Sequence, residues 1–251
     1  MANKSHLRLL RSGWFRSGVD RLNAWCARHP DITLDLGSAC LGAVKLSGAD
    51  LRGALLTQAD LCGADLTVAM LSGANLEGAA LCAADLSGAD LHGAVLNGAN
   101  LIDARLEGAI LWCVQMAGAL LSHASLKDAN LTQANLAGSD LSAADLRGAV
   151  VADADLTEVR LDGAVLADAR MARAVFARAS LSEANLRGAT LMGADLAGAS
   201  LTGADLTSAN LSGANLRGAS LAGANLASAV LTGAILVDAD MTDASLSLAI
   251  R

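Results

Sequence analysis

Four histidines, five cysteines and 25 acidic side chains are the groups in this chain with the reactivity to carry chemistry. Nucleophilic catalysis needs a Ser or Cys beside an activating base, and zinc needs clustered Cys or His at short spacing. Neither arrangement assembles. His6, His29, His92 and His123 are scattered, and Ser and Cys stand at many outward positions with no His placed to activate them. Cys26, Cys40, Cys62, Cys82 and Cys113 are odd in number and lack CxxC spacing, so neither a disulfide framework nor a zinc site is expected. Glycines recur at a strict spacing of five, unlike a phosphate-binding loop. The sequence predicts no catalytic residue, no cofactor and no metal ion.

The carboxylates have a different explanation, which lies in the elements that carry them. Phrases such as "SGADLRGALL" at 47–56 and "SGADLHGAVL" at 87–96 are copies of one five-residue unit. Its centres run from Leu36 to Leu246 without a slip, 43 consecutive pentapeptides, with Leu at 38 centres. Met116, Val151, Met171, Phe176 and Met241 occupy the rest. Ala stands two residues before the centre in 38 units, Asp or Asn is the commonest residue between them, and 21 of the 25 glycines fall two residues after the centre. Carboxylates in this pattern are structural by default.

A helix does not fit, because a five-residue step of about 140° spreads the leucines over every face. A plain strand does not fit either, because it alternates with period two. Locally, Ala–x–Leu is an alternation that points Ala and Leu one way and Asp or Asn the other. Three steps separate Leu from the next Ala, so the chain must turn between them, and Gly sits in that turn. Sides and corners wound in one direction make a solenoid. Period five leaves the number of sides open; equivalent positions twenty residues apart, such as Asp50, Met70, Asp90 and Ile110, alternate polar and apolar, and Cys62 and Cys82 share that spacing, which favours four.

The repeat is similar to the A(D/N)Lxx pattern of the pentapeptide-repeat family from residue 36 to about 250. The resemblance implies an all-β fold, a right-handed quadrilateral β-helix of about ten to eleven coils and roughly 50 Å length at the strand spacing. Leu46, Leu51, Leu66, Leu136 and Phe176 would lie on its axis, with Ala49 and Ala64 beneath corners. Two domains follow: a basic segment, residues 1–30, and a β-helix, residues 31–251. In the first, Ser17 is placed to cap a helix running to about Arg28, and Val19, Leu22, Trp25 and Cys26 share one face that plugs the first coil before Pro30. A similar apolar helix containing Trp precedes the repeats in other bacterial members.

Composition narrows function. Aromatic residues are 2% of the chain, and the net charge of −7 splits into +5 over residues 1–30 and −12 beyond. Arg8, Arg11 and Arg16 break any signal-like apolar stretch, and no run of some 18 apolar residues exists, so a cytoplasmic protein without membrane insertion is expected. The first reading is a non-catalytic scaffold or protein-interaction module with an unnamed protein partner. The alternative comes from the resemblance: one branch of the family imitates B-DNA, binds DNA gyrase and protects it from inhibitors. Duplex DNA would carry about 30 charges over such a rod, this body carries a net −12, and Phe176 is its single central Phe. Direct nucleic-acid binding is not expected.

Candidate contact residues are few. Trp112 and Cys113 take outward positions, with Ile110 and Leu120 expected nearby. Between residues 121 and 185 the turn glycine gives way to His123, Asp128, Asp153, Glu158, Asp168, Arg173, Arg178 and Glu183. Interspersed signs there suggest a salt-bridged solvated face, with a recognition face as the alternative. At the far end Leu246, Leu248 and Ile250 either fold over the final coil or leave it open for a homodimer.

Overall fold

The computed structural model describes residues 3–11 and 17–250; Arg16, and the capping contact expected of the Ser17 side chain, lie outside what is described. Each pentapeptide is one side and one corner. The outward residue of every side pairs in parallel with the residue twenty positions on, from Asp35 with Leu55 to Val230 with Ile250. Four pentapeptides therefore complete one coil, as the alternation at that spacing suggested.

Two rungs hold each side. The N–H of the central Leu donates to the coil ahead, as from Leu136 to the Asp155 carbonyl at 2.7 Å, and the outward residue's N–H donates to the coil behind, as from Asp155 to the Ala134 carbonyl at 2.9 Å. The corner is a four-residue turn closed from Ala N–H to the preceding Leu carbonyl, for example Ala74 to Leu71 at 2.9 Å. Its third residue is left-handed at every corner, glycine or not: Asp153, Glu158, Asp168, Arg173 and Arg178 have φ between 57° and 59°. Their N–H groups join the ladder too, as from Asp153 to the Ala172 carbonyl at 3.1 Å. Rungs ahead and behind thus fix the backbone at corners where a Cβ is disfavoured by about 1–2 kcal/mol.

One N–H per pentapeptide, that of the residue after the centre, is left out of this ladder. Each Asp or Asn at the outward position accepts it through Oδ1, two residues back, at 2.9–3.3 Å. This side-chain turn is the physical content of the Asp/Asn preference.

Inside, Leu46, Leu51, Leu66, Leu136 and Phe176 are all buried on the axis, and Ala49 and Ala64 are buried with them. Burying each such Leu contributes about 1.5–3 kcal/mol. Ser139 replaces a buried Ala because its hydroxyl donates to the Leu136 carbonyl at 2.7 Å.

Two helices sit on the first coil. α1 spans Lys4–Arg11 and α2 spans Ser17–Arg28. α2 ends just before Pro30, near the expected boundary, and buries Leu22 while Val19, Trp25 and Cys26 pack half-buried against the core. α1 was not anticipated; Asn3 caps it by accepting the Ser5 N–H at 2.9 Å. The first coil has no coil behind it to accept its N–H groups, and side chains from the helices take that place. Asn23 Oδ1 accepts the Asp50 N–H at 2.7 Å, and His6 Nδ1 accepts that of Asp35 at 3.0 Å.

At the other end, Leu236, Met241 and Leu246 are only half-buried, and Ile250 continues the ladder against Val230. Leu248 is a left-handed corner residue, 86% exposed, so the expected alternative of a folded-over lid is wrong. The expectation of no disulfide is also wrong: Cys62 and Cys82 are bonded, with Cα atoms 4.6 Å apart. Counting cysteines and CxxC motifs misses this pair because the coil, not local sequence, makes residues twenty apart neighbours. Cys26, Cys40 and Cys113 are free thiols.

Candidate functional site

The reactive groups come together nowhere in a catalytic arrangement among the described residues, and no group of three His, Cys, Asp or Glu there is able to hold a metal ion. A shallow depression beside α2 gathers Cys26, His29, Ile32, Asp50 and Arg52. Burial, together with the Asp50 carboxylate, pushes the Cys26 thiol up, away from thiolate character. Asp50 is itself held below the usual carboxylate range by the Arg52 guanidinium, whose Nη2 lies 2.7 Å from Oδ2. His29 is occupied as well, with Nδ1 2.8 Å from the Trp25 carbonyl and its ring stacked on Trp25.

What remains is surface. Ile110 lies on one side and Trp112 on the corner that follows; they are 45% and 43% exposed. The coil period stacks Trp112 on His92, one coil back, with ring centroids 4.6 Å apart and planes 16° from parallel. Trp112 Nε1 donates to Gln133 Oε1 at 3.1 Å, and Cys113 Sγ approaches the same oxygen at 3.5 Å. His92 and Gln133 were not anticipated; each lies about one coil from Trp112, a neighbour visible only once the period of twenty is known. Leu120 does not join this patch. It pairs with Asn100 and Asp140, whereas Ile110 pairs with Asp90 and Asn130, so two sides of four separate them and they occupy opposite faces.

The charged band is largely paired within itself. Arg173 grips Asp153 one coil back through two bonds of 2.7 Å, and Arg178 reaches Glu158 Oε1 at 2.7 and 3.0 Å. The Arg173 hydrogen bonds hold the Asp153 carboxyl below its ordinary range. These two ladders stand on neighbouring corners, and the side between them carries Asp155 and Val175. Asp168 stands on the corner before Arg173, folded over Gly188 of the next coil, where a Cβ would come within 2.5 Å of Oδ1. Lys127 and Arg147 share Asp145 at 3.3 and 2.6 Å, and Arg160 reaches Asp140 at 3.3 Å. Among the described residues, no helix is long and apolar enough to cross a membrane.

Comparison with known proteins agrees with this architecture. The sequence family described as pentapeptide repeats matches in eight copies, over residues 45–81, 74–112, 115–151, 154–193, 169–208 and 209–247. No curated protein sequence matches. Among solved structures, the chain is similar to HetL, a pentapeptide repeat protein involved in heterocyst differentiation regulation from the cyanobacterium Nostoc sp. strain PCC 7120. The two are 36% identical with a TM-score of 0.67, over 88% of this chain and 95% of that one. A pentapeptide repeat protein of the Arabidopsis thaliana thylakoid lumen is 34% identical over 38% of this chain and 63% of its own, with a TM-score of 0.31. QnrB1, a plasmid-mediated fluoroquinolone resistance protein, is 21% identical over 70% of this chain and 82% of its own, with a TM-score of 0.37. The shared fold is a right-handed β-helix.

Proposed function

The chain belongs to the pentapeptide-repeat family, and on that premise we propose that it is a non-catalytic, rigid interaction module of about ten to eleven coils, capped by α2 at its N-terminal end. The observation that carries this reading is the contrast between an interior repeated coil after coil and an outward patch in which a ring stack, Trp112 on His92, joins exposed apolar surface. Ile110 and Trp112, braced by His92 and Gln133, form an exposed apolar and aromatic surface of the kind that marks protein contacts. Asp153, Glu158, Arg173 and Arg178 form a second, charged contact face, with Asp168 at its margin. Leu120 adds an apolar contact on the face opposite Ile110.

The partner is a protein met in a bacterial cytoplasm, with no direct role for nucleic acid or membrane. The half-buried Leu236, Met241 and Leu246 of the coil 231–250 make a second copy of the chain a further partner, giving a homodimer joined through that coil. The gyrase-directed DNA-mimic alternative has less support. Its acidic faces would have to present free charge, whereas carboxylates here pair with Arg173, Arg178, Arg160 and Arg147.

Quantitative capture from source-cell extract tests the first reading, with the parent compared against Ile110→Asp/Trp112→Ala. The expected result is a partner retained by the parent and lost by the variant, with both proteins showing the same unfolding curve. Identical capture by both would remove the patch from the interface.

A further inference from the structure

We propose that the Cys62–Cys82 disulfide is a reversible redox clamp that decides how far the N-terminal end of the rod opens. This goes beyond the binding role proposed above and does not depend on which partner binds.

The two cysteines occupy the same corner of consecutive coils, so their bond runs along the rod and closes a loop of 20 residues, one full coil. It lies beside the backbone rung from Gly63 N–H to the Cys82 carbonyl at 2.8 Å. Elsewhere, coils are joined by hydrogen bonds, packing and ion pairs, all of which reopen freely, so a solenoid of this kind opens from its ends. The N-terminal end is also built differently from the rest. There the Asn23 amide and the His6 ring stand in for the rungs of a missing coil. Opening that starts at these contacts passes through residues 35–61 and then meets a covalently closed coil, whose opening gains less chain entropy and is therefore rarer. With the bond reduced, the same opening continues past residue 62.

The bond is placed for exchange. Both cysteines are half-buried at an outward corner position, not enclosed in the axis. The reductant is a dithiol. One of its thiolates attacks one sulfur of the pair, forming a mixed disulfide and releasing the other cysteine as a thiolate. The reductant's second thiolate then attacks the mixed disulfide and frees the first cysteine. The two cysteine thiolates each take up one proton, and the dithiol leaves as a disulfide. A small-molecule or protein disulfide drives the reverse exchange.

The corner also supplies a clean control. Ser122, Ser142 and Ser182 occupy the equivalent position in later coils, so Cys62→Ser/Cys82→Ser introduces a residue the corner already accommodates.

Amide hydrogen exchange read by mass spectrometry on the full chain, with and without dithiothreitol, tests the proposal. Alkylation of thiols reports the state of the bond. On reduction, the amides of Gly63, Leu66 and Leu71, which donate to Cys82, Asp85 and Asp90, should exchange roughly 250-fold faster, the factor expected from opening a loop of this size. Amides of residues 191–211 should be unchanged, and the double Ser variant should match the reduced parent under both conditions. Three results would overturn the clamp: unchanged exchange at Gly63–Leu71 although alkylation shows two new thiols, a bond that dithiothreitol does not open in the native protein, or Cys62 and Cys82 found as free thiols after oxidation.

Discussion

Asp155 isolates the contribution of the side-chain turn. Its Oδ1 accepts the Thr157 N–H at 2.9 Å, while its backbone pairs with Asn135 behind and Val175 ahead. Asp155→Ala removes the acceptor and leaves an N–H at a partly exposed corner, where water replaces the lost partner. The loss is therefore that of one capping hydrogen bond, about 1 kcal/mol, and not the larger penalty of a buried orphan. Asp155→Asn keeps an oxygen in the same place and should lie within a few tenths of a kcal/mol of the parent. For a chain of this size about 1 kcal/mol lowers Tm by roughly 2–4 °C. Asn75 and Asn185 make the same bond to Glu77 and Arg187 at 3.0 and 3.1 Å. Because distant sites add, the triple Ala variant should lose about 3 kcal/mol. Denaturant unfolding followed by circular dichroism measures all four proteins. If Asn proved as damaging as Ala, the carboxylate charge and not the hydrogen bond would be what matters. If Ala carried no loss, the recurrence of Asp and Asn would need another cause.

Two further outcomes follow from the axis and the half-buried coil 231–250. Leu136→Asp places a carboxyl in a fully buried position; truncation alone is worth about 2–5 kcal/mol, and an unpaired buried charge adds to it, so cooperative unfolding should be lost, and a melt like the parent's would refute the inward placement of the centres. Light scattering should report a dimer, with Met241→Asp/Leu246→Asp a monomer; a monomer for the parent at every concentration would exclude pairing through the coil 231–250.

The axis was legible because a five-residue period writes inward and outward positions directly into the sequence. Leu46, Leu136 and Phe176 needed no tertiary information to be placed, and neither did α2, whose apolar face and following Pro30 are local signals. The reason for Asp and Asn was not legible, because it depends on knowing which N–H the ladder leaves unpaired, and that is a property of two adjacent coils. The same holds for the Cys62–Cys82 bond, for His92 beneath Trp112, and for Leu120 on the wrong face to join Ile110. All four follow from the period of twenty, which a sequence of period five suggests only through weak columns. α1 was missed because "KSHLRLLR" reads as basic tail; its apolar Leu7 and Leu10 acquire meaning only against the first coil.

The mid-rod corners separate stability from recognition. Asp153, Glu158, Arg173 and Arg178 hold left-handed φ values that disfavour each of them by about 1–2 kcal/mol relative to glycine. Glycine in turn gains about 0.4–1 kcal/mol of unfolded-chain entropy, which offsets part of that difference. The ion pairs return little: Arg173 and Arg178 are 67% and 65% exposed, so solvent screens both pairs. Per pair, about 2–4 kcal/mol of left-handed strain is only partly offset by about 0.8–2 kcal/mol of glycine's unfolded-chain entropy and by a screened ion pair, so folding stability gives no reason for four charged side chains on two neighbouring corners, whereas a contact face does. Asp153→Gly/Arg173→Gly and Glu158→Gly/Arg178→Gly should each be as stable as the parent or more so, with any loss held to about 1 kcal/mol by this balance. Each should also weaken capture of the protein partner, and high salt should weaken capture by the parent in the same direction. Destabilisation of more than about 2 kcal/mol by either pair, beyond what exposed ion pairs supply, would make them staples of the fold and remove the argument that this face is kept for a partner.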